Sequence, residues 1–126
     1  MTRGLTLDTG ALIAFERGAR RMRALVLAAE RGERELVVPA PALAEAWRGG
    51  NARWLNELLA AATVESADEH LARRAGELLA RTSTSNAVDA LVAVSAAQRG
   101  DVVVTSDPSD LQRLADDLSE IRVWPL

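Results

Sequence analysis

The sequence contains no Cys, no Lys, one His and no long apolar run, and each absence removes a class of function. Without Cys there is neither a disulfide framework nor a thiolate metal centre, so any metal must be held by oxygen ligands or by His70. Such ligands favour hard cations. All 15 basic residues are Arg, which excludes every mechanism that requires a side-chain amine. No apolar stretch approaches the roughly 18 residues of a membrane span, and the first residues lack a basic segment followed by an apolar one, so we expect a cytoplasmic protein with no membrane partner. Repeats, low-complexity stretches and linkers are missing too. What is present is 126 residues with 48% hydrophobic content. That suits one compact domain over residues 1–126, able to bury about two-thirds of its unfolded surface. The net charge of −3 runs against the basic patch that nucleic-acid binding usually draws on, although Arg17, Arg20, Arg21 and Arg23 gather locally.

The apolar periodicity switches repeatedly between strand-like and helix-like. Leu5 to Leu7 is a short apolar run ending at Asp8, and Thr9 is placed to cap a helix through Leu12, Ile13 and Phe15. Met22, Leu25, Val26 and Ala29 recur at helical spacing up to Gly32, and Glu35 to Val38 reads as a second strand. Pro39 and Pro41 close it and open a helix. A helix from about Ala52 to Ala61 and a strand from Thr63 to Glu65 follow, and then a capping box from Ser66 to Glu69 starts a further helix. The polar stretch Thr82 to Ser85 separates that helix from Asn86 to Gln98, which is almost wholly apolar, predicts a buried helix and is closed by Gly100. Val102 to Val104 is strongly strand-like, Asp107-Pro108 opens another helix, and Ile121 to Val123 supplies a last strand. Helices between successive strands predict an α/β fold: a doubly wound parallel sheet of about five strands, covered on both faces.

Ligands in such sheets bind beyond the carboxyl ends of the strands, which directs attention to the acids located there. Asp8 ends the first strand, and Asp107 follows the fourth after Thr105 and Ser106. Each also reads as an ordinary helix start. Asp89 is the only ionised residue between Asn86 and Gln98, and burying an unpaired carboxylate costs several kcal/mol. Either an Arg pairs with it or it faces a polar cleft at a helix N-terminus. Glu45 points away from the stripe of Leu43, Ala44 and Trp47, as a solvated or a site acid would.

The segments LTLDTGALIAF, VVPAPALAEAW, SNAVDALVAVSAAQRG and DVVVTSDPSDL set these four acids in an order and context that resembles the PIN-domain family over essentially the whole chain. The small form is similar to VapC-type toxins of toxin–antitoxin pairs. The resemblance implies a metal-dependent endoribonuclease with Asp8, Glu45, Asp89 and Asp107 as the catalytic quartet. Asp8, Asp89 and Asp107 would ligate Mg²⁺ or Mn²⁺, and Thr9, Thr105 and Asp110 would stand beside them. It further implies an RNA substrate, a VapB-type antitoxin partner and a homodimer that assembles into a hetero-oligomer with the antitoxin.

Other readings compete with this one. An inert PIN-like scaffold would bind without cutting. A receiver-like signalling domain has a similar sheet, but it relies on a Lys that is missing here. Asp8-Thr9-Gly10 matches the aspartic-protease triplet, yet the following residues read helical rather than all-β. His70 reads as a surface residue of a charged helix. Trp47 and Trp54, with Leu55, Leu58 and Leu59, fit either a groove for the antitoxin or the core.

Overall fold

In the computed structural model, which describes residues 3–50, 52–118 and 121–126, the apolar runs become β1 (Leu5–Leu7), β2 (Leu36–Pro39), β3 (Thr63–Glu65), β4 (Val102–Thr105) and β5 (Arg122–Pro125). Between them lie α1 (Thr9–Glu16), α2 (Arg20–Arg31), α3 (Ala40–Ala46), α4 (Arg53–Ala61), α5 (Glu69–Thr82), α6 (Ala87–Arg99) and α7 (Pro108–Ala115). The strands form one sheet in the order β3-β2-β1-β4-β5, with every neighbouring pair parallel. β1, β2 and β4 are buried at every position, so both faces of the central sheet are covered, as a parallel sheet requires. The edge strands are more open, leaving Val64 and Trp124 exposed.

From β1 the chain winds outward through β2 to β3, then returns to the other side of β1 as β4. The winding direction therefore reverses between β1 and β4, and the pairing of Leu7 with Val104 sets the ends of those strands side by side. Asp8 and Asp107 follow those two strands.

Two helix starts differ from the sequence-based expectation. Asp8, not Thr9, caps α1: its backbone is extended and its carboxylate accepts the Ala11 N–H at 2.8 Å, which frees the Thr9 hydroxyl. On α5 the cap is Asp68, whose side chain accepts the Leu71 N–H, because the chain is still non-helical through Ser66 and Ala67. α6 conforms to expectation. Asn86 caps it, Gly100 closes it with φ +71°, and Ala90 and Val92–Ala97 are buried. α5 continues through Thr82, one residue into the expected polar loop. Among the described residues no helix is long and apolar enough to cross a membrane.

Leu55 and Leu58 are core residues, at 0% and 1% exposure, and Trp54 lies under the Arg23 guanidinium, 3.4 Å from the ring centroid, with Arg53 at 4.9 Å. Leu55 and Leu58 therefore belong to the core, while Trp47 and Leu59, with Ala40, Leu43 and Ala44, line an open apolar hollow between α3 and α4. Leu58→Ala is expected to cost about 2–5 kcal/mol through the cavity it leaves, a loss that chemical denaturation measures directly.

A polar network ties β1, β3 and β4 to the end of α6. Arg99 pairs with Glu65 and with Asp101, the latter at 2.9 Å, and also donates to Thr6 Oγ1. The Thr6 hydroxyl donates to Asp101, and that of Ser95 to Glu65. The buried charge of Asp101 is thereby compensated, and its role is structural.

Candidate active site

Asp8 is fixed before any ligand arrives. It is 5% exposed, accepts the backbone N–H groups of Ala11 and Gly10, and is hydrogen-bonded by the Thr105 hydroxyl. Burial pushes its pKa up, and the nearby Asp107 pushes the same way, while the hydrogen bonds partly offset this. Thr105 links two of the acids, because its Oγ1 also accepts the Asp107 N–H at 2.9 Å. Asp107 occupies the cap position of α7, but its carboxylate makes no capping bond and, among the described residues, accepts only from the Ser109 hydroxyl at 3.1 Å. A simple helix-start role for that side chain is thus not realised.

Gly10 permits the approach of the two segments that carry these acids. A Cβ there would lie 1.9 Å from Ser106 Oγ and 3.1 Å from Ser106 Cβ, so a side chain at this position would have to turn the Ser106 hydroxyl aside and push the turn after β4 outward by a few tenths of an ångström.

Glu45 reaches the site from α3. It is exposed, and the Thr9 hydroxyl donates to its Oε1 at 2.6 Å, which holds a long side chain that would otherwise sweep solvent. Asp89 is the third residue of α6, its own N–H taken by Asn86 Oδ1 at 2.9 Å. Its pKa is pushed up to about 6, first by burial and then by the charges of Asp8, Asp110, Glu45 and Asp107. Acids from the end of β1, from α3, from α6 and from the start of α7 therefore share one field. Among the described residues no Arg forms an ion pair with any of them.

As placed, no three acidic or imidazole side chains among the described residues are grouped closely enough to hold a metal ion. A bound cation would have to draw the oxygens inward, offsetting the repulsion among like charges.

Two hollows flank the acids. One, of about 570 Å³, lies beside α1 and the segment joining α3 to α4, lined by Glu45 together with Arg17 and Arg48. The other, of about 280 Å³, is lined by Asp89, Asp110 and Arg113 with the polar run Ser83 to Asn86. His70 is exposed on the first turn of α5 and belongs to neither. The clamp of Thr9 on Glu45 and the contact of Thr105 with Asp8 depend on tertiary placement, whereas the bonds of Asn86 to Asp89 and of Thr105 to Asp107 are local. In the sequence the resemblance puts Thr9 and Thr105 beside the acids, but it does not give the atoms they hold.

No curated protein sequence matches this one significantly. Solved structures are similar in fold. A chain of VapBC2 from Rickettsia felis, in a complex described as bound to a DNA fragment from its promoter, superposes with a TM-score of 0.73 at 15% identity, over 97% of this chain and 98% of that one. A chain of DNA-bound VapBC from Salmonella typhimurium gives 0.70 at 20% identity, over 98% of both chains. A chain of FitAB bound to the IR36 DNA fragment gives 0.67 at 17% identity, over 96% of this chain and 94% of that one. These likenesses concern the fold. The sequence itself matches the PIN domain over residues 5–117, and the chain belongs to that family.

Proposed function

We propose that this protein is a metal-dependent endoribonuclease, the toxin of a VapBC-type toxin–antitoxin pair. The observation that carries this reading is Asp89: a carboxylate on the most buried helix, in the field of four other acids and paired with no Arg among the described residues. A structural acid at that position would have an ion-pair partner. Membership of a family whose members are generally nucleases supports the same conclusion, and the neighbours described as VapBC complexes favour a VapB-type antitoxin as partner. An inert scaffold would gain nothing from holding these charges together, and the family match sets the receiver-like reading aside.

The donor set consists of carboxylate oxygens, which suits Mg²⁺ or Mn²⁺ rather than a thiolate-loving metal. Asp8, Asp89 and Asp107 would hold the ion, which when bound supplies a Lewis acid for the phosphodiester and lowers the pKa of a water. The chain's own contribution is positional. Thr105 fixes the spacing of Asp8 from Asp107, and Thr9 holds Glu45 at the mouth, where it can orient an incoming water. Asp110, beside Asp89, adds charge without belonging to the ligand set.

The purified protein is expected to cut RNA with Mg²⁺ or Mn²⁺ and to stop in EDTA, with internal cuts resolved by gel electrophoresis of end-labelled RNA. Undiminished cleavage in EDTA would overturn the metal-dependent reading. Growth arrest on induced expression, relieved by a co-expressed antitoxin, tests the biological half.

A further inference from the structure

We propose that a single strand of RNA crosses the acids from the Arg17–Arg48 hollow to the Arg113 hollow, these three guanidinium groups taking phosphates on either side of the one cleaved. This rests on the nuclease reading above and adds to it the path of the substrate. The protein carries net negative charge and no Lys, so its hold on a polyanion must come from particular Arg residues near the site. Both hollows share acids with the site: Glu45 lines the first, and Asp89 and Asp110 line the second. A strand lying in both must therefore pass over the carboxylates.

The three arginines are exposed and stand close to acids, yet among the described residues none forms an ion pair. Among the described residues Arg48 donates only to the carbonyl of its neighbour Trp47. A guanidinium left unpaired beside carboxylates keeps its planar fork for a bidentate acceptor, and phosphate is the acceptor that a nuclease presents. By contrast, Arg99 is committed to Glu65 and Asp101, and Arg81 to Asp117.

The first hollow has the volume of an ordinary ligand pocket, within about 300–1,000 Å³. Among the described residues no aromatic side chain lines either hollow, so the grip falls on the backbone rather than on stacked bases. In the second hollow the polar side chains of Ser83, Ser85 and Asn86 flank Arg113, a surface suited to sugar hydroxyls as well as phosphate.

The test is binding of a fluorescent single-stranded RNA to the protein held in EDTA, titrated across salt concentrations, alongside cleavage kinetics in Mg²⁺. Arg17→Gln, Arg48→Gln and Arg113→Gln are expected each to weaken binding several-fold. Each should reduce the magnitude of the salt slope by about 0.7, the amount that one neutralised phosphate contributes on a single strand. KM should rise while kcat stays within about two-fold, since none of the three belongs to the acids. If the wild type cuts RNA and all three variants bind and cut as it does, the path is wrong and the nuclease reading stands. If the wild type neither binds nor cuts RNA, both fail. If the variants keep RNA binding but lose inhibition by the antitoxin, the hollows are peptide grooves and the proposal is overturned.

Discussion

Asp8→Asn is expected to lower the rate of RNA cleavage by about a thousand-fold or more while leaving the fold intact. The structural role of Asp8 is to cap α1, and Asn caps as well as Asp, so the bond from the Ala11 N–H survives the change. The Thr105 hydroxyl can still donate to the amide oxygen. Burial already disfavours the charged form of this side chain, so an uncharged isostere carries no desolvation penalty for an ion. What disappears is one negative oxygen donor. A metal-site ligand of that kind supports several kcal/mol of transition-state stabilisation, and about 4 kcal/mol corresponds to a thousand-fold. Single-turnover cleavage and a melting curve on the same preparation separate the two roles. A fully active Asp8→Asn protein would remove Asp8 from the chemistry, and a melting temperature lowered by many degrees would assign it to the fold instead.

The fold is legible in the sequence wherever the pattern is local. The strand triplets, the buried α6 between Asn86 and Gly100, and the Pro-opened helices α3 and α7 all follow from periodicity and end signals. The choice between neighbouring caps is less visible. Thr9 and Asp8 are both good capping residues, and Asp8 takes the role because the chain is already helical at Thr9. Ser66 loses to Asp68 for the opposite reason, the non-helical segment running on past the end of β3.

The amphipathic stripe of α4 is ambiguous in principle, since an apolar face reads the same whether the protein or a partner covers it. Burial assigns Leu55 and Leu58 to the core, and Arg23 stacks over Trp54, while Leu59 faces an open apolar hollow shared with Trp47. The Glu65–Arg99–Asp101 network cannot be read from the sequence at all, because Glu65 lies far along the chain from the other two and meets them only through the sheet. The acids are easier. Each follows a strand or lies on a helix that starts at the carboxyl end of a parallel sheet, so local pattern and topology point to the same place.

In the absence of metal, Asp89→Asn is expected to melt above the wild type at pH 7. The folded pKa of Asp89 is about 6, above the roughly 4 of an unfolded Asp, so at neutral pH the folded state holds a charge it disfavours. The sign follows from linkage. The penalty is fully present above the folded value, is relieved as pH falls through about 6, and is gone below about 4, where both states are protonated. In full it would be worth about 3 kcal/mol. The side chain is partly solvated, and screening reduces that to about 1–2 kcal/mol. Against it stands the favourable placement of a carboxylate in the first turn of α6, worth about 0.3–1 kcal/mol. Repulsion and burial win by roughly 1 kcal/mol, which for a domain of this size raises the melting temperature by about 3–5 °C. Acidification should close the gap, because between pH 7 and pH 5 the wild type gains stability that the amide variant already has. Metal should close it from the other side. With free Mg²⁺ at about ten times its dissociation constant the wild type gains roughly 1.4 kcal/mol, while the variant, short of one ligand, gains little. Differential scanning fluorimetry at pH 5, 6 and 7, with and without Mg²⁺, measures all of these shifts. If metal-free Asp89→Asn instead melts well below the wild type at pH 7, the carboxylate is held by a structural partner and does not belong to the metal site.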